Sequence, residues 1–202
     1  MGYNPHVYWQ WRSNTWKRAK REDEHRNTVE FVDKFLSEKG TILDCGSGDG
    51  QIFLHLREEF GDKLDGRYVM CDIADGMREK CFEKTGILPS KWDGKTLPFE
   101  DNAFDLVLSI SVMLHVPPQD IEDFVAEHAR VCSGHMFVAT WHDETDNKRA
   151  GGHCFQHDYY SIFEKCGLKI WSERKTMKRG KKYKRRNWIL RPHSETDITR
   201  LS

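Results

Sequence analysis

The chain has 202 residues, a formal net charge of +0, and hydrophobic and charged fractions of 38% and 32%, which gives room for one α/β domain with a full core and too little for two. Balanced charge supplies no whole-molecule field toward nucleic acid or membrane. No apolar run reaches membrane-spanning length and no signal-peptide stretch opens the chain, while the 6 cysteines fall at no CxxC or metal-ligand spacing. A cytoplasmic protein with reduced thiols is therefore expected.

In chain order, residues 1–27 form an aromatic and basic arm, with Tyr3, Tyr8, Trp9, Trp11 and Trp16 set among Arg12, Lys17, Arg18, Lys20 and Arg21. Such an arm either caps a pocket or packs on the domain as an amphipathic helix. The domain proper is expected over 28–192. Its first helix is predicted to start with Asn27 or Thr28 as N-cap, to bury Val29, Phe31, Val32, Phe35 and Leu36, and to stop at Gly40. A strand over 41–44, the glycines Gly46, Gly48 and Gly50, and a helix to about residue 60 follow. A second strand over 67–71 is closed by Asp72, and a helix spans 75–85. A short third strand ends near Trp92 and Asp93, and a fourth covers 104–109. Pro117 and Pro118 hold the chain extended before a helix over 120–131. A fifth strand over 135–140, a polar loop over 141–157 and a helix over 158–166 lead to two last strands, 168–175 and 186–191, joined by a basic turn at Gly180. Residues 193–202 are expected to be a disordered tail. Strands alternating with helices predict an α/β fold: a doubly wound, mostly parallel, Rossmann-like sheet of about seven strands with one antiparallel strand at or near an edge.

The stretch TILDCGSGDGQIFLHL, residues 41–56, reads as strand, tight glycine turn and helix N-terminus, a place where unpaired N–H groups meet a closely approaching ligand. Asp72, about 20 residues on at the end of the next strand, suits ribose hydroxyls, or else merely caps a helix. A dinucleotide loop would read GxGxxG, whereas here the spacing is GxGxG and Gln51 holds the last position. Asp44 and Asp49 also crowd the place where a pyrophosphate needs positive potential. A ribose-bearing zwitterion such as S-adenosylmethionine, with an ammonium and a sulfonium, fits those acids better.

With LDCGSGDG, CDIADGM and LPFEDNAFDLVLSISVMLHV in that order, the sequence resembles the class I S-adenosylmethionine-dependent methyltransferases, the type 11 group in particular, over about residues 30–140; Cys45 stands where valine or isoleucine is usual. The resemblance implies that Gly46, Gly48 and Gly50 line the methionine part of the cofactor, with Asp44 near its ammonium. It implies Asp72 at the ribose hydroxyls, Ile73 against adenine, and Asp93 accepting from the adenine amino group beside Trp92 and Gly94. Ser109 and Ile110 would border the methionyl portion, and Arg12 or an N-terminal tyrosine would close the site. For Trp92, core packing is the competing reading.

Methyl transfer from a sulfonium is an in-line displacement in which positioning supplies much of the rate, and an alcohol acceptor must also lose a proton. Side chains after strands four and five face the reacting methyl in this fold, which selects His115, His142 and Asp143 as catalytic candidates. The bland reading of His115 is a helix-start residue holding the Pro117 turn. His153 and His157 are expected at the surface. Asp143, Asp146 and Asn147 are expected to be solvated, so no metal is expected. The segment 174–191, rich in Lys and Arg and free of acids, is either a hairpin that tracks RNA phosphates, with Tyr183 and Trp188 for stacking, or a solvated edge strand protected by its lysines. The expected function is O-methylation of a hydroxyl on a sugar, glycan or other small polar metabolite, with a histidine general base. The alternatives are RNA methylation through 174–191 and a non-catalytic S-adenosylmethionine-binding subunit. No membrane partner is expected.

Overall fold

The computed structural model describes residues 2–17, 22–141, 152–177 and 184–192. Its strands are β1 (Ile42–Cys45), β2 (Tyr68–Asp72), β3 (Ser90–Lys91), β4 (Phe104–Ile110), β5 (Cys132–Trp141), β6 (Leu168–Met177) and β7 (Lys184–Pro192). They form one 7-stranded sheet of order β3-β2-β1-β4-β5-β7-β6. Among the described residues six α-helices accompany it: α1 (Pro5–Ser13), α2 (Glu22–Phe35), α3 (Gln51–Phe60), α4 (Asp75–Thr85), α5 (Ile121–Val131) and α6 (Tyr159–Lys165). No helix among the described residues is long and apolar enough to cross a membrane.

β1 is buried at every position because it runs parallel to β2 on one side and to β4 on the other, with helices over both faces. One face carries Phe31, Val32, Ile52, Phe53 and Leu56 against the strands, with Phe31 stacked on Phe137 at 5.2 Å between ring centroids. The opposite face holds Trp92, Phe124, Val125, Tyr159, Phe163 and Trp188. β7 runs antiparallel between β5 and β6, so the reversed strand lies one place in from the edge. The strand order reverses at β1, and loops leave the carboxyl ends of β1 and β4 in opposite directions there, opening the crevice that α/β folds use for ligands.

Several boundaries differ from the sequence expectation for physical reasons. The helix expected to start at Asn27 or Thr28 begins at Glu22, so the division between arm and domain at residue 27 falls inside α2. Asn27 is not a cap: its Oδ1 accepts from Arg174 Nη1 at 2.6 Å, and Thr28 Oγ1 donates to the Glu24 carbonyl one turn back at 2.7 Å. β5 starts at Cys132, directly off α5, because Gly134 lets the strand close on the Asp105 carbonyl, which a Cβ there would strike. Three arginines of the basic segment are paired inside the fold. Arg174 pairs with Glu30 at 2.8 Å, Arg185 with Glu24, and the fully buried Arg186 with Glu173 across β6 and β7. The turn at Gly180, Tyr183 and the tail over 193–202 lie outside the described residues.

Candidate active site

A cavity of about 450 Å³ opens at the carboxyl ends of the central strands. Gly46, Gly48, Asp72, Ile73, Trp92 and Asp93 form one side of it, Ile110 to Val112 with His115 another, and Tyr3, Trp9 and Trp16 the roof. Trp9 of the roof belongs to α1, with Tyr3 just before and Trp16 just after that helix, which Asn4 caps by accepting from Val7 N–H at 3.1 Å. α1 is tied to the start of α4, where Gly76 N–H donates to Gln10 Oε1 at 3.1 Å.

The glycine turn after β1 uses positive φ at Gly46 (73°) and Gly48 (59°). A Cβ at Gly46 would come within 2.5 Å of Val112 Cγ2, whereas one at Gly48 would meet nothing within 4 Å. Gly48 thus presents bare main chain to the cavity, a cradle that any side chain would begin to fill. Asp72 ties this turn to α4: Oδ2 accepts from Gly48 N–H at 2.8 Å and Oδ1 from Ala74 N–H at 2.9 Å. Burial raises the Asp72 pKa, and those backbone donors pull it back in part. Each carboxylate oxygen keeps acceptor capacity beyond the one bond it makes, which suits a pair of ribose hydroxyls.

Trp92 belongs to both core and wall. It is 3% exposed, packs on Phe124 at 5.1 Å, and its buried Nε1–H has no protein partner while the residue lines the cavity. Asp93 turns the chain, Oδ1 accepting from Lys95 N–H at 2.8 Å and Thr96 N–H at 3.0 Å, and this sets Gly94 against Ile73. An orphan buried donor, a bare glycine main chain and a half-used buried carboxylate fit a nucleoside-bearing zwitterion.

Four residues expected at the cofactor do not line this cavity. Gly50 (φ 78°) instead allows α3 to pack on α4, since a Cβ there would lie 2.6 Å from Thr85 Cγ2 and 2.8 Å from Cys81 Sγ. Asp44 is buried behind the turn, accepting from the Tyr68 hydroxyl at 2.9 Å. Ser109 is fully buried within β4, and Ser111, two residues on, holds the wall. Arg12 lies beyond the roof, its Nη1 donating to Thr15 Oγ1 at 2.7 Å and its guanidinium over Trp16 at 5.7 Å.

Of the catalytic candidates, His142 and Asp143, with Asp146 and Asn147, lie outside the described residues. His115 ends a 3₁₀ turn, Met113–His115, on the cavity wall. Its Nδ1 is 2.8 Å from the His153 carbonyl oxygen, which can only accept, so Nδ1 carries a proton. Trp9 meets the ring edge-on at 4.8 Å. His115 also lines a second cavity, of about 330 Å³, bordered by Tyr8, Arg12, Trp141, His153 and Arg185.

His157, expected at the surface, is buried, whereas His153 is half-buried. His153 stacks on Tyr8 at 4.5 Å, and His157 is 6% exposed with a pKa lowered by desolvation. His115, His153 and Cys154 bring donor atoms within 4.8 Å of one another, a grouping that could hold a soft metal ion. Burial pushes the Cys154 thiol up, and His115 Nδ1 donates to the His153 carbonyl.

Sequence reasoning missed Ser111, a non-glycine residue at φ 60°. Its N–H donates to Ala139 O at 2.6 Å and its hydroxyl to Glu24 Oε1 at 2.9 Å. The buried Glu24 in turn pairs with Arg185, so α2, β7 and the loop after β4 are joined at the wall. A strained residue at such a position marks a functional site, but no local signal announces it.

Comparison with known proteins agrees with this geometry. Residues 42–134 match the family described as "Methyltransferase domain". The chain is 30% identical over 128 residues to ajmaline N-methyltransferase of Rauvolfia serpentina, covering 61% of this chain and 43% of that protein. It thus spans less than half the length of that relative, and the same holds for norajmaline N-methyltransferase of the same plant at 40%. Magnesium protoporphyrin IX methyltransferase of Synechocystis PCC 6803, crystallised with bound SAH, aligns with a TM-score of 0.67 at 17% identity, over 92% of this chain and 94% of that one. The [4+2]-cyclase SpnF aligns equally well, TM-score 0.67 at 14% identity over 87% and 84%, so the architecture alone does not assign the reaction. Taken with the glycine turn, Asp72 and the cavity they frame, residues 42–134 are similar to a methyltransferase domain, on a fold shared with a methyltransferase crystallised with bound SAH.

Proposed function

We propose that the protein transfers the methyl group of S-adenosylmethionine to a hydroxyl oxygen of a small polar acceptor, with His115 taking the proton. One observation carries this reading: His115 stands in the wall shared by two cavities, one framed by Gly48, Asp72 and Trp92, the other by Tyr8, Arg12 and Arg185. The cofactor would supply a methyl on a cationic sulfur. Asp72 would hold the ribose hydroxyls, Gly46 and Gly48 the methionyl end, and Ile73, Trp92 and Asp93 the adenine end. The Nδ1–H bond to the His153 carbonyl fixes the His115 ring and directs Nε2 as the nitrogen that would take the acceptor proton as the oxygen becomes a nucleophile. Tyr3, Trp9 and Trp16 restrict water above the site. Sugar rings and planar metabolites both stack on such aromatic walls.

Nitrogen is the second acceptor reading, favoured by the names of the Rauvolfia relatives. RNA fits less well, because Arg174, Arg185 and Arg186 are answered by acids of the same chain. The test is transfer of labelled methyl to separated metabolite, glycan and RNA pools, with His115→Gln alongside. Label in the small-molecule or glycan pool, slowed roughly a hundredfold in the variant while S-adenosylhomocysteine affinity stays within about twofold, is expected. Label confined to RNA, or turnover indifferent to His115→Gln, refutes it.

A further inference from the structure

The second cavity has a chemical character of its own. Its wall combines the rings of Tyr8, Trp9, Trp16 and Trp141 with two cations, Arg12 and Arg185, and no Asp or Glu among the described residues lines it. The ring wall is braced internally: Tyr8 stacks on His153 at 4.5 Å, and Trp9 meets Trp16 edge-on at 5.8 Å. The two cations are not equivalent. Arg185 is paired with the buried Glu24 and donates to Ser111 Oγ, so its charge is answered within the protein. Arg12 meets no carboxylate among the described residues; Nη1 donates to Thr15 O at 3.0 Å and Thr15 Oγ1 at 2.7 Å, which anchors one edge of the guanidinium beside Trp16. Among the described residues, the cavity therefore carries one cation without an acidic partner next to flat aromatic surface.

We infer that the acceptor is a hydroxylated ring compound bearing a carboxylate, and that Arg12 binds that carboxylate while the ring stacks on the tyrosine and tryptophan wall. The inference rests on the methyl-transfer reading and narrows its acceptor to anions. A planar guanidinium fork matches a carboxylate in two parallel hydrogen bonds, and the pair gains strength where aromatic walls exclude water. With the carboxylate held at Arg12, a ring hydroxyl reaches toward His115, which lines both cavities together with Trp9, Trp16 and Ser111. A cationic amine acceptor would be repelled from the same wall. Two kinds of molecule share this chemistry, aromatic hydroxy acids and sugar acids.

The experiment uses the full chain saturated with S-adenosylhomocysteine and two matched pairs of probes, 4-hydroxybenzoate with 4-hydroxybenzamide, and glucuronate with glucuronamide. Binding is followed by saturation-transfer NMR and titration. In at least one pair the acid is expected to bind about tenfold more tightly than its neutral amide, with the gap shrinking as salt is raised and disappearing in Arg12→Gln. The pair that shows the gap identifies an aromatic or a sugar acid. No gap in either pair, no binding of either acid, or a gap that survives Arg12→Gln overturns the inference. The acid-to-amide gap in the unaltered protein decides the matter even where the variant folds poorly. Failure to bind S-adenosylhomocysteine would instead overturn the methyl-transfer reading itself, so the two failures are distinguishable.

Discussion

Replacing Asp72 by asparagine separates ligand binding from folding at the residue where the two meet. The carboxylate now accepts two buried backbone bonds, from Gly48 N–H at 2.8 Å and Ala74 N–H at 2.9 Å. Asparagine fills the same space but offers one carbonyl oxygen, so one of these N–H groups would face an amide NH₂ and lose its partner, at a cost of about 1–3 kcal/mol. In a chain of this size that corresponds to a fall in Tm of roughly 2–12 °C. The ligand loses more. Two ribose hydroxyls donating to a carboxylate are charge-assisted bonds worth about 1.5–3 kcal/mol each, and losing one of them with the charge assistance of the other weakens binding by roughly one to three powers of ten. Calorimetric titration with S-adenosylhomocysteine, beside a thermal melt of the same sample, reads both quantities. A lowered Tm with undiminished affinity would make Asp72 a helix cap and refute its assignment to the cofactor.

The glycines give a second contrast. Gly50→Ala should lower Tm substantially, because its Cβ would strike Thr85 and Cys81 at φ 78°, whereas Gly48→Ala, with open space at its Cβ, should cost only about 1–2 kcal/mol of backbone strain yet weaken S-adenosylhomocysteine binding; melts and titrations of the pair check this. Gly76→Ala should push α1 off α4, since the new methyl would collide with Ser13 Oγ; faster proteolysis of the arm and weaker cofactor binding are expected, and unchanged values for both would show that the arm does not roof the site. Stability should also fall with acid through His128, whose buried ring donates from Nδ1 to Phe124 O at 2.7 Å and whose pKa is lowered to about 4 by desolvation. The unfolded chain binds the proton first, near pH 6.5, so the stability held above that pH is lost as pH falls toward 4, by at most roughly 3 kcal/mol. Denaturant unfolding at pH 7.5 and 5 should show this slope, and a His128→Gln variant should flatten it.

The parallel sheet, the switch point and the turn at Gly46 and Gly48 were legible because each is written locally: apolar runs of strand length, glycines at a sharp turn, an acid closing the next strand. What sequence reasoning got wrong depended on partners far along the chain. Asn27 reads as a helix cap until Arg174 claims its side chain, and Gly50 reads as a ligand glycine until α4 brings Thr85 against it. Arg186, expected on a solvated strand, is fully buried because Glu173 lies beside it on β6. Ser109 and Ser111 share a side-chain parity, and only the positive φ of Ser111 decides which reaches the cavity wall. Trp92 packs its ring in the core, as its competing reading expected, while its unpartnered indole N–H lies at the cavity wall.

The central claim is methyl transfer at a site shared by the cofactor cavity and its neighbour through His115. It is tested most directly by incubating the purified chain with methyl-labelled S-adenosylmethionine and a small-molecule metabolite pool, then comparing the S-adenosylhomocysteine formed with the label recovered in product. The expected result is one methyl on a small molecule for each S-adenosylhomocysteine, with both falling together in His115→Gln. A chain that binds S-adenosylhomocysteine tightly yet moves no label, or moves it as fast without His115, would contradict it.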